Sequence, residues 1–375
     1  MPATSEKLCL VIPTRDRPKL LARLLRYLAA QRFGFPVLVA DASKLPFRAD
    51  VEKAVEASAG LNVTLLKAAH DSHWGLRIVD ALSKVSSPYA LLCGDDDFVI
   101  PEAVDACVDF LERNSDYSLA HGLTAVVQTL KGRTLTLPYR QRSVEHLRAD
   151  ERVRDHLTNY APTAYSVHRR GDLIRNLQAS FDRSPDYELG ELLPSTLSVI
   201  QGRTRCLGRL FMVRQDSPTS TGKKTSLAGM IVQSDFSKRL GEMKGALMEE
   251  LHRVGVDADA AQSAVDDGLE KYLMRAVAKQ YRPPVGPETQ LSRAFRFAGT
   301  GLRLLPRLAR AVGEGHAPRL ASSPIDSMKD LERELQAHES NEMALFRLTS
   351  PRGNHFNDFK PIYDLVDQFP EGIQP

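Results

Sequence analysis

Cysteine is scarce in this chain, and its few cysteines lie far apart. Four cysteines occur among the 375 residues, at positions 9, 93, 107 and 206, and none has a partner at CxxC spacing. Structural zinc sites and disulfide frameworks need closely spaced cysteines, so neither is expected. Three of the four lie in apolar runs, which indicates buried thiols in a reducing compartment.

Long hydrophobic runs are also missing. No window reaches the roughly 18 consecutive apolar residues of a transmembrane helix. The N-terminal MPATSEKLCLVIP has one short apolar run, without the longer apolar region and cleavage site of a signal peptide. We therefore expect a cytoplasmic protein.

The chain has no large excess of charge of either sign. Lys and Arg number 50 and Asp and Glu number 47, a formal net charge of +3. Nucleic-acid-binding proteins usually show a strongly basic balance, so no nucleic-acid partner is expected. The length fits two domains.

The first 110 residues alternate short apolar runs with helical patterns. LCLVIP, PVLVAD, LNVTLLKA and YALLC are typical of buried strands, and PKLLARLLRYLAAQ has leucines at helical spacing, with Asp16 as a candidate N-cap. This alternation predicts an α/β, Rossmann-like domain with a mainly parallel central sheet. Ligands of such sheets collect at the carboxyl ends of the strands.

Helical patterns dominate from about residue 228 onward. We therefore predict an α/β domain over residues 1–227 and a C-terminal α-helical domain over residues 228–375. Within the second domain, residues 291–320 contain six arginines and one acid, interleaved with leucine and phenylalanine. This pattern is typical of a basic amphipathic segment on anionic lipid, which would place the protein peripherally at the inner face of a membrane. Docking against the first domain or against a second copy in a homo-oligomer explains the same pattern.

Three consecutive carboxylates, Asp95, Asp96 and Asp97, follow the fourth predicted strand. Their mutual repulsion is costly unless a cation or hydrogen-bond donors compensate it. Side chains two residues apart in an extended segment point to the same side, so Asp95 and Asp97 can converge on one Mg²⁺ or a similar ion. Asp96 would face elsewhere, towards a sugar hydroxyl. The alternative is that the run caps the helix beginning near Pro101, for which one aspartate would suffice.

Two other predicted strands end in polar residues at the same sheet edge. Thr14, Arg15 and Arg17 follow the first strand, where backbone amides and guanidinium groups would hold phosphates or a base. A solvated loop accounts for them equally well. Asp41 ends the second strand and would accept hydrogen bonds from a ribose or base; a solvated strand end is the alternative.

Together, IPTRDRPKLLARLLRYLAAQ, VLVADAS and YALLCGDDDFVIPEAVDACVDFLE resemble the nucleotide-binding half of a family 2-like glycosyltransferase with the GT-A fold, over about residues 7 to 215. The most specific element is the strand that ends in a DxD-type motif, followed by a proline-started helix. The resemblance implies transfer of a sugar from a nucleotide-diphosphate sugar, with UDP-sugars favoured, to a hydroxyl of a glycan or lipid-linked acceptor. It also implies Mn²⁺ or Mg²⁺ as cofactor and a place in surface polysaccharide or glycan assembly.

The resemblance further implies individual roles in donor binding. The residues that would line the nucleotide-sugar site are Pro13, Thr14, Arg15, Asp41, Gly75, Asp95 and Asp96. Asp97 would be the main metal ligand, with Asp95 nearer the sugar and ribose. Trp74, the single tryptophan, would stack on a ring or simply pack in the core.

Inverting members of the family carry an acidic general base about 11 residues before a glycine. Counting back from Gly202 gives Glu191, which would take the proton from the acceptor hydroxyl. Glu188, one turn earlier, is its competitor, and an ordinary acid at a helix N-terminus is the alternative for both.

The histidine that many members of the family supply after the next strand is absent from this sequence. Asp216 or water would replace it, and Arg214 would meet the diphosphate together with Lys223 and Lys224, unless this stretch is only a basic surface loop.

Two other functions are compatible with these patterns. A sugar nucleotidyltransferase also uses an α/β domain and carboxylate-held Mg²⁺, but it usually needs a glycine-rich phosphate loop, and residues 13–18 contain no glycine. A catalytically inactive sugar-nucleotide-binding scaffold is the other alternative.

Overall fold

The computed structural model describes residues 6–130, 133–139, 141–183, 187–216, 227–231, 233–280 and 347–375. The basic segment at 291–320, together with Lys223 and Lys224, lies outside these residues.

The described strands form one mixed sheet, with β4 and β8 in the middle of its strand order. They are β1 (Leu8–Thr14), β2 (Val37–Asp41), β3 (Val63–Lys67), β4 (Tyr89–Leu92), β5 (Phe98–Val99), β6 (Tyr117–Leu130), β7 (Arg133–Tyr139), β8 (Val167–Arg169) and β9 (Arg203–Asp216). Their order is β3-β2-β1-β4-β8-β6-β9-β5, and β7 pairs with β6. The neighbours from β3 to β4 are parallel, whereas β8 is antiparallel to both β4 and β6. The predicted α/β fold is thereby confirmed.

Helices cover both faces of this sheet and continue after it. They are α1 (Pro18–Ala30), α2 (Leu45–Glu56), α3 (Trp74–Ser83), α4 (Pro101–Arg113), α5 (Ala149–Thr158), α6 (Arg170–Arg183), α7 (Tyr187–Gln201), α8 (Leu227–Ile231), α9 (Phe236–Arg253), α10 (Ala258–Gln280) and α11 (Phe356–Gln368). Helices α1, α2 and α4 each have a proline in the first turn, where its fixed φ suits a helix and its missing N–H costs nothing.

Asp16 does not cap α1, contrary to the sequence-based expectation. The N-cap residue is Arg17, which makes no side-chain capping bond. Asp16 instead has a φ of 58°, a left-handed conformation that aspartate tolerates better than most residues. Its Oδ1 accepts a hydrogen bond from the backbone N–H of Lys44 at 2.7 Å. The turn after β1 is therefore braced against the turn after β2.

The apolar core lies on both sides of the sheet because side chains alternate along each strand. In β1, Leu8, Leu10 and Ile12 belong to the apolar cluster that includes α1, α4 and α11. Cys9 and Val11 face the opposite side, with α3 and α6. Burial on both faces explains why the central strands read as continuous apolar runs. All four cysteines are free.

The helices that follow the sheet divide between two places. Helices α9 and α10 form a separate apolar cluster with α5 and α7, in which Val153, Leu193, Leu247 and Leu269 are buried. Helix α11 packs instead in the core beneath the sheet. The domain boundary between residues 227 and 228 stays a prediction. Across the described part of the chain, every helix is too short or too polar to cross a membrane.

Candidate functional site

The acidic run lies buried just beyond the carboxyl end of β4. Asp95, Asp96 and Asp97 are each at most 7% exposed. The N-cap of α4 is Ile100, and no side chain makes a capping hydrogen bond there. The run therefore does not cap α4, and another reason is needed for three buried carboxylates in a row.

Arg17 and Thr14 compensate the first two carboxylates. Arg17 Nη1 lies 3.0 Å from Asp95 Oδ1, and its Nη2 forms an ion pair with Asp96. Thr14 Oγ1 donates a hydrogen bond to Asp95 Oδ2 at 2.7 Å. Thr14 ends β1 and Arg17 lies in the turn that follows it, as expected for neighbouring parallel strands whose carboxyl ends meet at one edge.

Asp97 is held from the opposite side, by β9. The backbone N–H of Gln215 donates to Asp97 Oδ1 at 3.0 Å, and Arg214 Nε lies 3.5 Å from Asp97 Oδ2. Burial raises the pKa of both Asp95 and Asp97 above the usual aspartate range; the neighbouring arginines oppose this rise, and the charge of Asp96 adds to it. A cation between these carboxylates would stabilise their charged forms.

The donor set fits a hard divalent cation. Asp95 and Asp97 offer carboxylate oxygens, the ligands that Mg²⁺ and Mn²⁺ prefer. Of their four oxygens, Asp97 Oδ2 has the most distant protein partner, Arg214 Nε at 3.5 Å. Within the described ranges no three His, Cys, Asp or Glu side chains converge on one point, so an ion here would take further ligands from a diphosphate and water. Asp216, the alternative ligand, accepts a hydrogen bond from Gln128 Nε2 at 2.5 Å.

Asp41 brings a buried carboxylate to the same edge. It is paired in register with Thr14 and its Oδ1 accepts a hydrogen bond from the N–H of Ser43 at 2.8 Å. Its Oδ2 is buried and has no hydrogen-bond partner among the described residues. Such an atom costs free energy that a ligand N–H or hydroxyl would recover. Pro13 is partly exposed beside it on β1.

Arg77 is a candidate site residue that the sequence motifs did not single out. It lies in the first turns of α3, is only 7% exposed, and its Nε and Nη1 find no partner in the described part of the chain. Burial lowers the pKa of Arg77 and the exposed Arg15 lowers it further, whereas Asp41 and Asp95 act in the opposite direction. The only available signal was an arginine two residues after Gly75.

Gly75 is explained by packing. A Cβ atom at this position would overlap the ring of Phe181. The rings of His73 and Trp74 also contact Phe181, with centroids 5.0 and 5.4 Å away. Trp74 thus packs in an aromatic cluster, and a nucleotide-lining role for Gly75 stays a prediction.

Glu191 lies on α7 within reach of the charges around the acidic run. Burial raises its pKa, and the positive charge of Arg214 opposes that rise. Because Arg214 also contacts Asp97, it links the predicted base to the predicted metal ligand. The Arg214 guanidinium lies 4.9 Å from the ring centroid of Tyr165. Glu188 belongs to α7 too, but its side chain lies outside the described part.

Pro194 gives the start of α7 an unusual hydrogen-bond pattern. Proline has no N–H, so it cannot donate to the carbonyl of Gly190 four residues earlier. Ser180 Oγ on α6 donates to that carbonyl instead, at 2.9 Å. The turn that carries Glu191 is therefore tied to α6.

Comparisons with known proteins agree with this geometry. Residues 9–172 match the family model described as glycosyl transferase family 2. The crystal structure of S. aureus TarS 1-349 in complex with UDP-GlcNAc is 14% identical, with a TM-score of 0.53 and coverage of 82% of this chain and 82% of that chain. The structure of S. aureus TarS 1-349 alone is also 14% identical, with a TM-score of 0.51 and coverage of 82% and 81%.

No curated protein sequence matches the chain significantly. At 14% identity the structural likeness shows the fold alone, so the activity rests on the family match. The match assigns residues 9–172 to glycosyl transferase family 2 and supports a glycosyltransferase, built on a GT-A fold.

Proposed function

We propose that this chain is a metal-dependent, inverting glycosyltransferase that moves a sugar from a nucleotide-diphosphate sugar to a hydroxyl acceptor. One observation carries the proposal. At one edge of the sheet, the buried acidic run lies with Asp41 and Arg77, which keep buried polar atoms without partners in the described structure, and with Glu191, whose pKa is raised. A glycan or lipid-linked acceptor, surface polysaccharide or glycan assembly, and a cytoplasmic location with membrane contact through residues 291–320 belong to the same proposal.

The nucleotide would be held by the unsatisfied groups. Asp41 Oδ2 would accept a hydrogen bond from the base or ribose, and Arg77 would donate to a phosphate or base oxygen. TarS, which shares the fold, was crystallised with UDP-GlcNAc, so UDP-sugars are the first donors to test.

Asp95 and Asp97 would hold Mn²⁺ or Mg²⁺. When bound, the ion would neutralise the negative charge that develops on the departing diphosphate. Thr14 and the backbone N–H of Gln215 hold the two carboxylates in place before any ligand arrives. Such outer hydrogen bonds orient metal ligands.

Glu191 would act as the general base. It would take the proton of the acceptor hydroxyl as that oxygen forms its bond to the anomeric carbon, on the face opposite the breaking bond to the diphosphate. Attack from that face inverts the anomeric configuration. The raised pKa of Glu191 suits this task, because a carboxylate with a higher pKa is a stronger base.

The proposal is tested by replacing the main ligand without changing its shape. We expect Asp97→Asn to lose Mn²⁺-dependent UDP binding in calorimetry and to lose turnover of UDP-sugars, whereas Asp105→Asn, at an exposed position on α4, retains both. Equal binding by the wild type and Asp97→Asn would overturn the metal role.

Product analysis separates the alternatives. A glycosyltransferase releases a nucleoside diphosphate, whereas a sugar nucleotidyltransferase consumes a nucleoside triphosphate and releases pyrophosphate. Mn²⁺-dependent binding with no turnover across a broad acceptor panel, and no donor hydrolysis, would indicate an inactive scaffold instead.

A further inference from the structure

The C-terminal strap, which we define as residues 347–375, returns to the sheet domain after the helices that precede it. Phe359, Ile362 and Val366 of α11 are buried in the same apolar cluster as β1 and α4. The strap lies on the side of the sheet that also carries α1. Two buried side chains connect its last residues to the acidic run.

Arg23 is the first connection. This residue of α1 is 0% exposed, although its charge is costly to bury unless it is well paired. Its Nη1 donates to the carbonyl of Phe369 in the strap at 2.7 Å. Its Nη2 donates to the carbonyl of Asp96 at 3.3 Å and to Gln215 Oε1 at 2.5 Å. One guanidinium group thus joins the strap, the backbone of the acidic run and β9.

Gln215 is the second connection. Its Nε2 donates to the carbonyl of Pro370 in the strap at 2.8 Å, and its backbone N–H donates to Asp97 Oδ1 at 3.0 Å. The residue that orients the predicted metal ligand is therefore itself held by the strap. The planar amide and the planar guanidinium share a hydrogen bond, so movement of one disturbs the other.

The end of the strap is fastened to α1 a short distance beyond these contacts. The N–H of Ile373 donates to the carbonyl of Lys19 at 3.0 Å. Gly372 has a φ of 91°, and a Cβ atom there would collide with the backbone of Lys19. Only glycine allows this close approach in this conformation.

We propose that the C-terminal strap is a positioning element of the metal site: through Arg23 it fixes the backbone at Asp96, and through Gln215 it holds the carboxylate of Asp97 in the geometry that binds the cation. This inference rests on the proposed metal role of Asp97. Arg23, Gln215 and the strap touch no substrate in this account; they act through the acidic run.

The test uses two glycines of the full-length protein as a matched pair. Gly372 and Gly60 have φ values of 91° and 94°, so alanine strains the backbone similarly at both positions. Only at Gly372 does the added Cβ meet other atoms, because nothing lies within 4 Å of the corresponding position at Gly60. Gly372→Ala therefore displaces the strap from α1, while Gly60→Ala reproduces the strain alone.

Two measurements decide the proposal. In metal-free protein, we expect faster hydrogen exchange of the backbone amides at 94–99 in Gly372→Ala than in Gly60→Ala. At a constant UDP concentration, the electron paramagnetic resonance signal of free Mn²⁺ should show that Gly372→Ala binds Mn²⁺ about tenfold more weakly than Gly60→Ala. Loss of a hydrogen bond that orients a metal ligand usually has an effect of about this size. Gln215→Met, which removes both side-chain hydrogen bonds, should shift both measurements in the same direction.

The outcomes are distinct. If either measurement is the same in Gly372→Ala as in Gly60→Ala, the positioning role is wrong even though the metal site stands. If Asp97→Asn binds Mn²⁺ as the wild type does, the proposed metal site itself has failed, and the dependence of Mn²⁺ binding on the strap fails with it.

Discussion

Two buried residues at the site retain polar atoms without partners in the described structure. Each such atom costs about 1–3 kcal/mol, yet Arg77 and Asp41 both keep one or more at the same sheet edge. Folded proteins satisfy most buried polar groups, so exceptions need a reason. A nucleotide that supplies the missing partners is the reason we propose.

Arg77→Met gives the first prediction. We expect UDP affinity to fall about 10–100-fold, since a hydrogen bond to a charged group contributes about 1.5–3 kcal/mol. The melting temperature should hold or rise, because the variant removes a buried charge that lacks partners. Calorimetry and thermal unfolding check the two parts, with Arg113→Met, at an exposed position on α4, for comparison. Unchanged UDP affinity in Arg77→Met would contradict the pocket assignment.

Glu191→Gln gives the second prediction at this scale. Loss of the general base should lower kcat by about 10²–10⁴-fold, the usual contribution of such a group, while Mn²⁺-dependent donor binding is retained. Glu188→Gln is the matched comparison on the same helix and should leave kcat near that of the wild type. A larger loss in Glu188→Gln would transfer the role to Glu188.

At the scale of elements, the sequence predicted the central strands and the helices beside them because their patterns are strong. β1, β2 and β4 are apolar runs bounded by polar residues, and α1 has leucines on one face. Boundaries are less evident from such patterns, as at Leu45, where α2 begins. Proline at position 46 in its first turn was the signal that marked the true start.

At the site, the acidic run was predictable because three aspartates directly after an apolar strand form an unusual pattern within a few adjacent residues. Arg77 was not, because its significance lies in its burial and in the charge of Asp41, which acts on it from 36 positions away along the chain. The contact of Arg23 with Phe369 was still less visible, since 346 positions separate the two residues. No periodicity or motif spans such a distance.

The packing of α3 against α6 gives an element-scale prediction. Gly75→Ala places a Cβ where the Phe181 ring now lies, and this overpacking should lower the free energy of unfolding by about 1–3 kcal/mol. Gly34→Ala, where nothing lies within 4 Å of the added Cβ, is the control. Adding Phe181→Leu to Gly75→Ala should recover part of the loss in urea unfolding. Equal stability of Gly75→Ala and Gly34→Ala would show that α6 moves freely away from α3.

For the whole molecule, the small net charge of +3 is a sum of parts with different roles. The buried acidic run is paired with Arg17, from the turn after β1, and with Arg214 of β9. The net +5 of residues 291–320 is offset only in part by the rest of the chain, which carries +3 minus +5, or −2. Composition alone therefore does not show where the charges near the site lie. Ionisable groups buried away from the site affect the stability of the fold instead.

His156, buried among α5 and α7, supplies a pH prediction for the whole fold. Burial, reinforced by Arg142, lowers its pKa to about 3, and its Nε2 lies 3.1 Å from Ser195 Oγ. The unfolded histidine titrates near 6.5, so between about pH 6.5 and 3 the unfolded chain binds one more proton at this position. His156 should therefore reduce the free energy of unfolding as pH falls, by about 1.4 kcal/mol per pH unit below about 6.

His156→Gln isolates this effect from that of the other ionisable groups. Asp95 and Asp97 have raised pKa values, so they bind protons more readily in the folded state and change stability in the opposite direction as pH falls. Urea unfolding of the wild type and His156→Gln at pH 7.5, 6.0, 5.5 and 5.0 should give slopes that differ by about one proton below pH 6. Because both proteins retain the two aspartates, the difference in slope reports the histidine. Identical slopes would mean that His156 takes up a proton in the folded protein, which its burial between α5 and α7 should prevent.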